Sequence, residues 1–219
     1  PSLNTFRSLA SQTYSFKTVD LKQEPKPEDI ETLIIAGPTE TFSDWELYQI
    51  DQYLMDGNSV AFFIDTHREV RPQNQNQFYG QPPQYIPLKT GLPDLIESYG
   101  ITIKDSYVMD EECFVQRSRQ RSGGMQEVPI YNAPVLKANS INNTLPFMKN
   151  IKGLVVLNAS PLSIAEETEA DVTKLFSSSE KAWEMSEQIN LYNPMMITPP
   201  AEEQRNSFLL GALAEGNFN

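Results

Sequence analysis

Cysteine is nearly absent from this chain. Cys113 stands alone among 219 residues, which excludes an internal disulfide framework. Histidine is equally scarce, with His67 the only one, so a metal centre built on several imidazoles is excluded. Positive charge is in short supply too: 17 basic against 29 acidic residues leave a net charge of −12, which repels phosphate backbones and anionic lipid surfaces. Nucleic acid is therefore a poor partner. No apolar run approaches the roughly 20 residues that cross a bilayer. There is no signal-peptide pattern of basic start, apolar stretch and small-residue cleavage site, and no internal repeat. Glycines able to cradle a phosphate are missing as well. The turn AGPTETFS has one Gly, no Lys and the acidic Glu40, and no G-x-x-x-x-G-K-[ST] occurs anywhere, so nucleotide binding is rejected. Because the chain starts at Pro1 rather than Met, it reads as an excised fragment or a processed form.

What is present is an ordinary supply of core residues, 39% hydrophobic, and one strongly specified stretch from Glu31 to Asp65. Thr32 to Ala36 is a β-branched and apolar run without alternation, the pattern of a strand covered on both faces. Gly37-Pro38 breaks it. Ser43 is an N-cap, Glu46 completes a capping box, and Phe42 and Leu47 form a hydrophobic staple. Trp45, Leu47, Tyr48, Ile50 and Leu54 predict a broad apolar stripe on the helix that follows. Gly57 is its stop, and Ser59 to Ile64 is a second apolar strand, so the stretch predicts a β-α-β unit.

Around it the chain is less regular. A short helix within Pro1 to Ser11 and a strand at Tyr14 to Leu21 precede the unit. Long loops are expected at 68–91, rich in Gln, Asn and Pro, and at 116–127, where Gly-Gly suggests the mobile tip of a β-hairpin. Leu92 to Tyr99 predicts a helix stopped by Gly100, with Ile101 to Met109 as the strand after it. Gly153 to Ala159 reads as a third buried strand and Val172 to Phe176 as a short one. A short helix carrying Trp183 is expected at Ser179 to Glu187, and a final strand at Ser207 to Ala214.

Several blocks carry a family resemblance. ETLIIAGP, SDWELYQIDQYLMDGN and VAFFID come first, GLPDLIESYGITI and SYVMDEEC follow, and VVLNASPL, LFSSSEKAWE and FLLGALAEGNF stand near the end. In these the chain resembles the GldG-like auxiliary, substrate-binding-like components of ABC transporters linked to bacterial gliding motility. It departs from their pattern at Asn58, where a second Gly is usual, and in the two long loops. The resemblance implies a single α/β domain over residues 1–219, a three-layer sandwich with a mainly parallel sheet. That fold is similar to class I glutamine amidotransferases (flavodoxin-like) and to a domain of eukaryotic intraflagellar-transport proteins. It also implies a soluble domain cut from a membrane-anchored parent, lying on the extracytoplasmic (periplasmic) side of the bacterial cytoplasmic membrane, with permease and ATPase subunits as partners.

An amidotransferase-like fold raises the question of a nucleophile. Cys113, His67 and Glu111 make a triad arithmetically possible, but DEECFV has no small residues for a nucleophile elbow, and a modestly buried thiol beside a loop histidine explains the same residues. Asp65, His67 and Glu69 follow a strand's carboxyl end, where open α/β sheets bind ligands. As metal ligands they make a weak set. The pair Met195 and Met196 likewise lacks a His or Cys neighbour for a soft metal. Arg68, Phe78, Tyr79 and Tyr85 lie among the amides of the first loop, a mix suited to peptide or glycan surfaces. Arg117, Arg119 and Arg121 alternate along the hairpin and would share one strand face. The reading is a non-enzymatic domain of a transporter auxiliary subunit, without cofactor or metal. It would bind a protein, peptide or glycan partner through Asp65, His67, Arg68, Phe78, Tyr79, Tyr85, Arg117, Arg119 and Arg121 and couple it to the membrane complex. A hydrolase or amidotransferase-like enzyme and a purely structural scaffold are the alternatives.

Overall fold

The computed structural model describes residues 3–23, 29–71, 82–119, 124–187 and 189–216. In chain order, helix α1 (Asn4–Ala10) is followed by β1 (Thr32–Ala36), α2 (Asp44–Met55), β2 (Ser59–Phe63), β3 (His67–Val70), β4 (Gln84–Pro87) and α3 (Leu92–Ser98). The remainder is β5 (Ile101–Ile103), β6 (Tyr107–Asp110), β7 (Cys113–Arg119), β8 (Met125–Lys137), β9 (Gly153–Val155), β10 (Leu162–Ile164), β11 (Asp171–Ser177), β12 (Ala182–Met185) and β13 (Leu209–Glu215). Among the described residues no helix is long and apolar enough to cross a membrane.

The β-α-β unit forms as its residues dictate. β1 and β2 pair in parallel from Thr32↔Ser59 to Ala36↔Phe63, with α2 as the crossover. The capping box is complete. The Ser43 N–H donates to the Glu46 carboxylate at 2.8 Å, and the Glu46 N–H donates back to the Ser43 hydroxyl at 3.3 Å. The Ser43 backbone N–H and then its hydroxyl hold the Glu46 carboxyl below the usual range. At the other end Gly57 adopts φ 84°, a left-handed conformation that suits Gly at C′. Asn58, standing where the resemblance expects glycine, donates its amide to the Tyr53 carbonyl at 3.0 Å. The buried face of α2 is Glu46, Gln49, Ile50 and Tyr53, with Ile50 and Tyr53 in one core with Leu33, Ile35 and Leu92. Trp45 and Tyr48 do not join the predicted stripe. They lie exposed and stack on one another, centroids 5.7 Å apart.

A three-layer sandwich with a mainly parallel sheet does not form. Among the described residues, parallel pairing is confined to β1 and β2. The other sheets, β3-β4, β12-β6, β7-β8-β9 and β11-β13-β10-β5, are antiparallel. The cause is a lack of crossovers. Parallel strands need a connection of about a dozen residues or more, usually helical, and α2 is the helix that supplies one, whereas α1 buries no residue and α3 leads into the antiparallel β5.

Three further local expectations are corrected. Tyr14 to Leu21 is not a strand, although Val19 and Leu21 pack against the α2 core. The expected helix around Trp183 is instead β12, paired with β6 from Ala182↔Asp110 to Met185↔Tyr107. Its alternation explains this: Ala182 enters the core of Val108, Leu136, Ile141, Met148 and Leu210, while Trp183 enters the cluster of Tyr107 and Met109. Packing on both faces outweighs local propensity. The loop at 68–91 is regular at its two ends, where β3 and β4 pair from His67↔Pro87 to Val70↔Gln84.

The hairpin β7-β8 appears where expected. It carries a register shift between Cys113, opposite Pro134, and Phe114, opposite Ile130. Proline, lacking an N–H, is tolerated at such an irregularity. β6 is the innermost strand, with all four residues buried.

Candidate functional site

The best-formed polar cluster lies just beyond the carboxyl end of β2. The chain leaves β2 at Phe63, passes Asp65 and Thr66, and enters β3 at His67. Thr66 is held on both sides: its backbone carbonyl accepts the Leu88 N–H at 2.7 Å, and its hydroxyl lies 2.9 Å from that of Ser160. The same hydroxyl is 3.1 Å from Nδ1 of His67, and Asp105 Oδ1 is 3.5 Å from that nitrogen. A carboxylate only accepts, whereas a hydroxyl serves either way, so an N–H at Nδ1 suits both neighbours.

Tyr107, buried, packs beneath His67. Its ring lies 5.4 Å from that of His67 and meets Tyr85 edge-on at 6.4 Å, and its hydroxyl donates to the His67 carbonyl at 3.4 Å. Burial, with the charges of Asp65, Tyr85 and Asp105 around it, pushes the Tyr107 phenol up to about 12. Partial desolvation also raises the Asp65 carboxyl above its ordinary value. The result is a cluster of four hydroxyls, those of Thr66, Tyr85, Tyr107 and Ser160, one imidazole and two carboxylates, with Thr66, His67 and Tyr107 buried. It has net negative character and is suited to a ligand offering hydroxyl, amide or ammonium donors.

Of the residues singled out from sequence, Asp65, His67 and Tyr85 are brought together here. Arg68 is exposed on β3 opposite Ile86. Arg117 and Arg119 lie in the β7-β8-β9 sheet, Arg117 paired with Glu127 at 2.9 Å. Phe78, Tyr79 and Arg121 lie outside the described residues. The set Asp65, His67 and Glu69 does not converge as ligands, since Glu69 is taken by Arg71 at 2.5 Å, and no metal-holding group of three occurs among the described residues. Met195 receives the Gln126 amide on its sulfur at 3.5 Å.

Cys113 is buried, and burial raises its thiol despite a hydrogen bond to the Ile130 backbone. Its neighbours Asp110 and Glu111 raise it further. His67 is partnered by Thr66, Asp105 and Tyr107, and Glu111 by Arg205 at 2.9 Å, so the arithmetical triad does not assemble. Sequence reasoning missed Thr66, Asp105, Tyr107 and Ser160. Tyr107 sits in an apolar run that reads as plain core, and Ser160 is 94 positions from Thr66, so no local signal links them.

Residues 2–219 match the family described as ABC-type uncharacterized transport system. An uncharacterized protein of Borreliella burgdorferi is 28% identical over 214 residues, an alignment covering 92% of this chain and 39% of that protein. The chain thus spans about two fifths of that relative's length. Among solved structures, the mmIFT52 N-terminal domain superposes with a TM-score of 0.51 at 13% identity, covering 81% of this chain and 70% of that one, a likeness of fold alone.

Proposed function

Since the chain belongs to the ABC-type uncharacterized transport system family, we propose that it is the partner-binding domain of a transporter's auxiliary subunit, non-enzymatic and extracytoplasmic. It binds a protein, peptide or glycan segment at the edge where Asp65, Arg68 and Tyr85 are accessible, above the buried His67 and Tyr107. Through its parent protein it couples that partner to the permease and ATPase. A link to gliding motility, as in GldG-like subunits, is the finest part of this proposal.

One observation carries the reading. Neutral donors and acceptors with two aromatic rings converge beyond a strand's carboxyl end, around a carboxyl whose charge is partly desolvated. Such a surface suits a neutral or cationic polar chain. The thiol of Cys113, held in its protonated form by burial, supports the non-enzymatic half.

A photo-crosslinking residue in place of Arg68, in the full-length parent protein in cells, tests it. The expected outcome is an adduct with a partner that disappears in the double variant Asp65→Asn, Tyr85→Ala, while permease and ATPase still co-purify. Co-purification without any adduct at this edge would leave a scaffold instead. A turnover abolished by Cys113→Ala or His67→Ala would overturn the non-enzymatic reading.

A further inference from the structure

A second site, unrelated to the Asp65 edge, lies between β8, β11 and the turn that leads into β12. It is a groove of about 590 Å³, within the range of small-molecule sites, roughly 300 to 1,000 Å³. Three lysines line it in a chain whose net charge is −12. Lys137 is consumed by Glu112 at 2.5 Å. Lys174 and Lys181 form no ion pair among the described residues, and Glu180 stands free beside them. Two unpaired ammonium groups against one unpaired carboxylate give the accessible lining one excess positive charge, the Asp110 carboxylate being buried behind the wall and held by Ser179.

The walls are built rather than incidental. Asp110, 1% exposed, accepts the Ser179 N–H at 2.8 Å and the Ser179 hydroxyl at 2.6 Å. Ser178, 3% exposed, accepts the Phe208 N–H on its hydroxyl at 2.8 Å. The turn bearing Lys181 is thereby fixed to β6 and to the segment that leads into β13. On the opposite side the Phe176 ring lies directly over Gly211, where a Cβ would come within 2.4 Å of Cζ. The hydroxyls of Ser140 and Ser177 line the same groove and make no hydrogen bond among the described residues.

We propose that this groove binds a small organic anion of the carboxylate or phosphate class, its charge met by Lys174 and Lys181 and its polar oxygens by the hydroxyls of Ser140 and Ser177. Ammonium groups without a protein partner, held on a rigid and locally cationic surface, gain more from such a ligand than ones already paired. The assignment stands independently of the partner-binding reading, because it shares no residue with that edge.

Calorimetric titration of the domain with citrate and, separately, with inorganic phosphate tests it. At least one anion is expected to bind, and whichever binds identifies the ligand's charged group. The double variant Lys174→Met, Lys181→Met should weaken that binding by at least about tenfold. Glu180→Gln should tighten it, because a repelling charge is removed. All three positions are exposed, so the variants should keep the parent melting temperature, which confirms their folding. Absence of binding to either anion at about 10 mM, or equal affinity in the lysine double variant, overturns the assignment.

Discussion

The unit from Thr32 to Phe63 and the antiparallel remainder solve the same problem, burying apolar strands, by opposite uses of chain distance. In the first, Leu33, Ile35, Ile50 and Tyr53 lie within one crossover, joined by Leu92 from α3. In the second, one core collects Val108, Leu136, Ile141, Met148, Ala182 and Leu210, positions that meet only after several reversals of the chain. Local contacts form early and cheaply, whereas distant pairings bear the entropy of loop closure before they are rewarded. The first region therefore rests on caps and turns, and the second on its partners.

The largest effect that sharpens this comparison is expected from cavities. Ile50 and Leu136 are both essentially inaccessible, and Ile50→Ala or Leu136→Ala should each cost about 3 kcal/mol. Urea unfolding followed by circular dichroism decides how the regions are coupled. One shared transition lowered equally by both variants means a cooperative whole, and two transitions moved separately mean two units.

Next in size is Asp110→Ala, which strips the Ser179 turn and the Glu112 N–H of a buried acceptor. It should cost about 2 kcal/mol, and in a fluorescence melt the loss should fall on the antiparallel region. Ser43→Ala should cost about 1 kcal/mol. Because Glu46 is held below its ordinary value, its contribution is present above pH 4.5 and lost as pH falls through the depressed value. The variant should accordingly show a flatter acid limb in a pH series of melts. The smallest effect at neutral pH is that of Tyr107→Phe. Its phenol is raised to about 12, so the stability tied to it is intact below pH 10 and lost as pH climbs through 12. Phenylalanine should remove that alkaline slope. An unchanged slope would mean that the ring is not desolvated as the structure has it.

The same comparison explains what was legible beforehand. The capping box at Ser43, the stop at Gly57 and the hairpin around Gly-Gly are written in neighbouring residues, and each is found where expected. The pairing of β12 with β6 is not so written: SSSEKAWE carries helix-compatible residues, and only the presence of β6 turns Trp183 and Ala182 to opposite faces. The parallel sandwich that the resemblance implies does not form for the same reason, since the strands beyond the first crossover pair antiparallel among the described residues. At the candidate site, Asp65 and His67 were visible from their place after a strand. Asp105 and Ser160 were not, because hydroxyls and carboxylates in loops look alike until the fold chooses among them. Residue 180 and its neighbours in the lysine groove were hidden in the same way.

The two tryptophans now acquire a practical meaning. Trp45 is 54% exposed on α2 and Trp183 is 6% exposed on β12. One reports from each region, in different surroundings: Trp45 stacks on Tyr48 in water, and Trp183 packs against Tyr131 at a centroid distance of 5.3 Å. Their emission should differ in colour and in access to a soluble quencher such as iodide. Without any added label the chain carries a two-channel optical gauge, in which replacing either indole by phenylalanine leaves the other to time the unfolding of its own half.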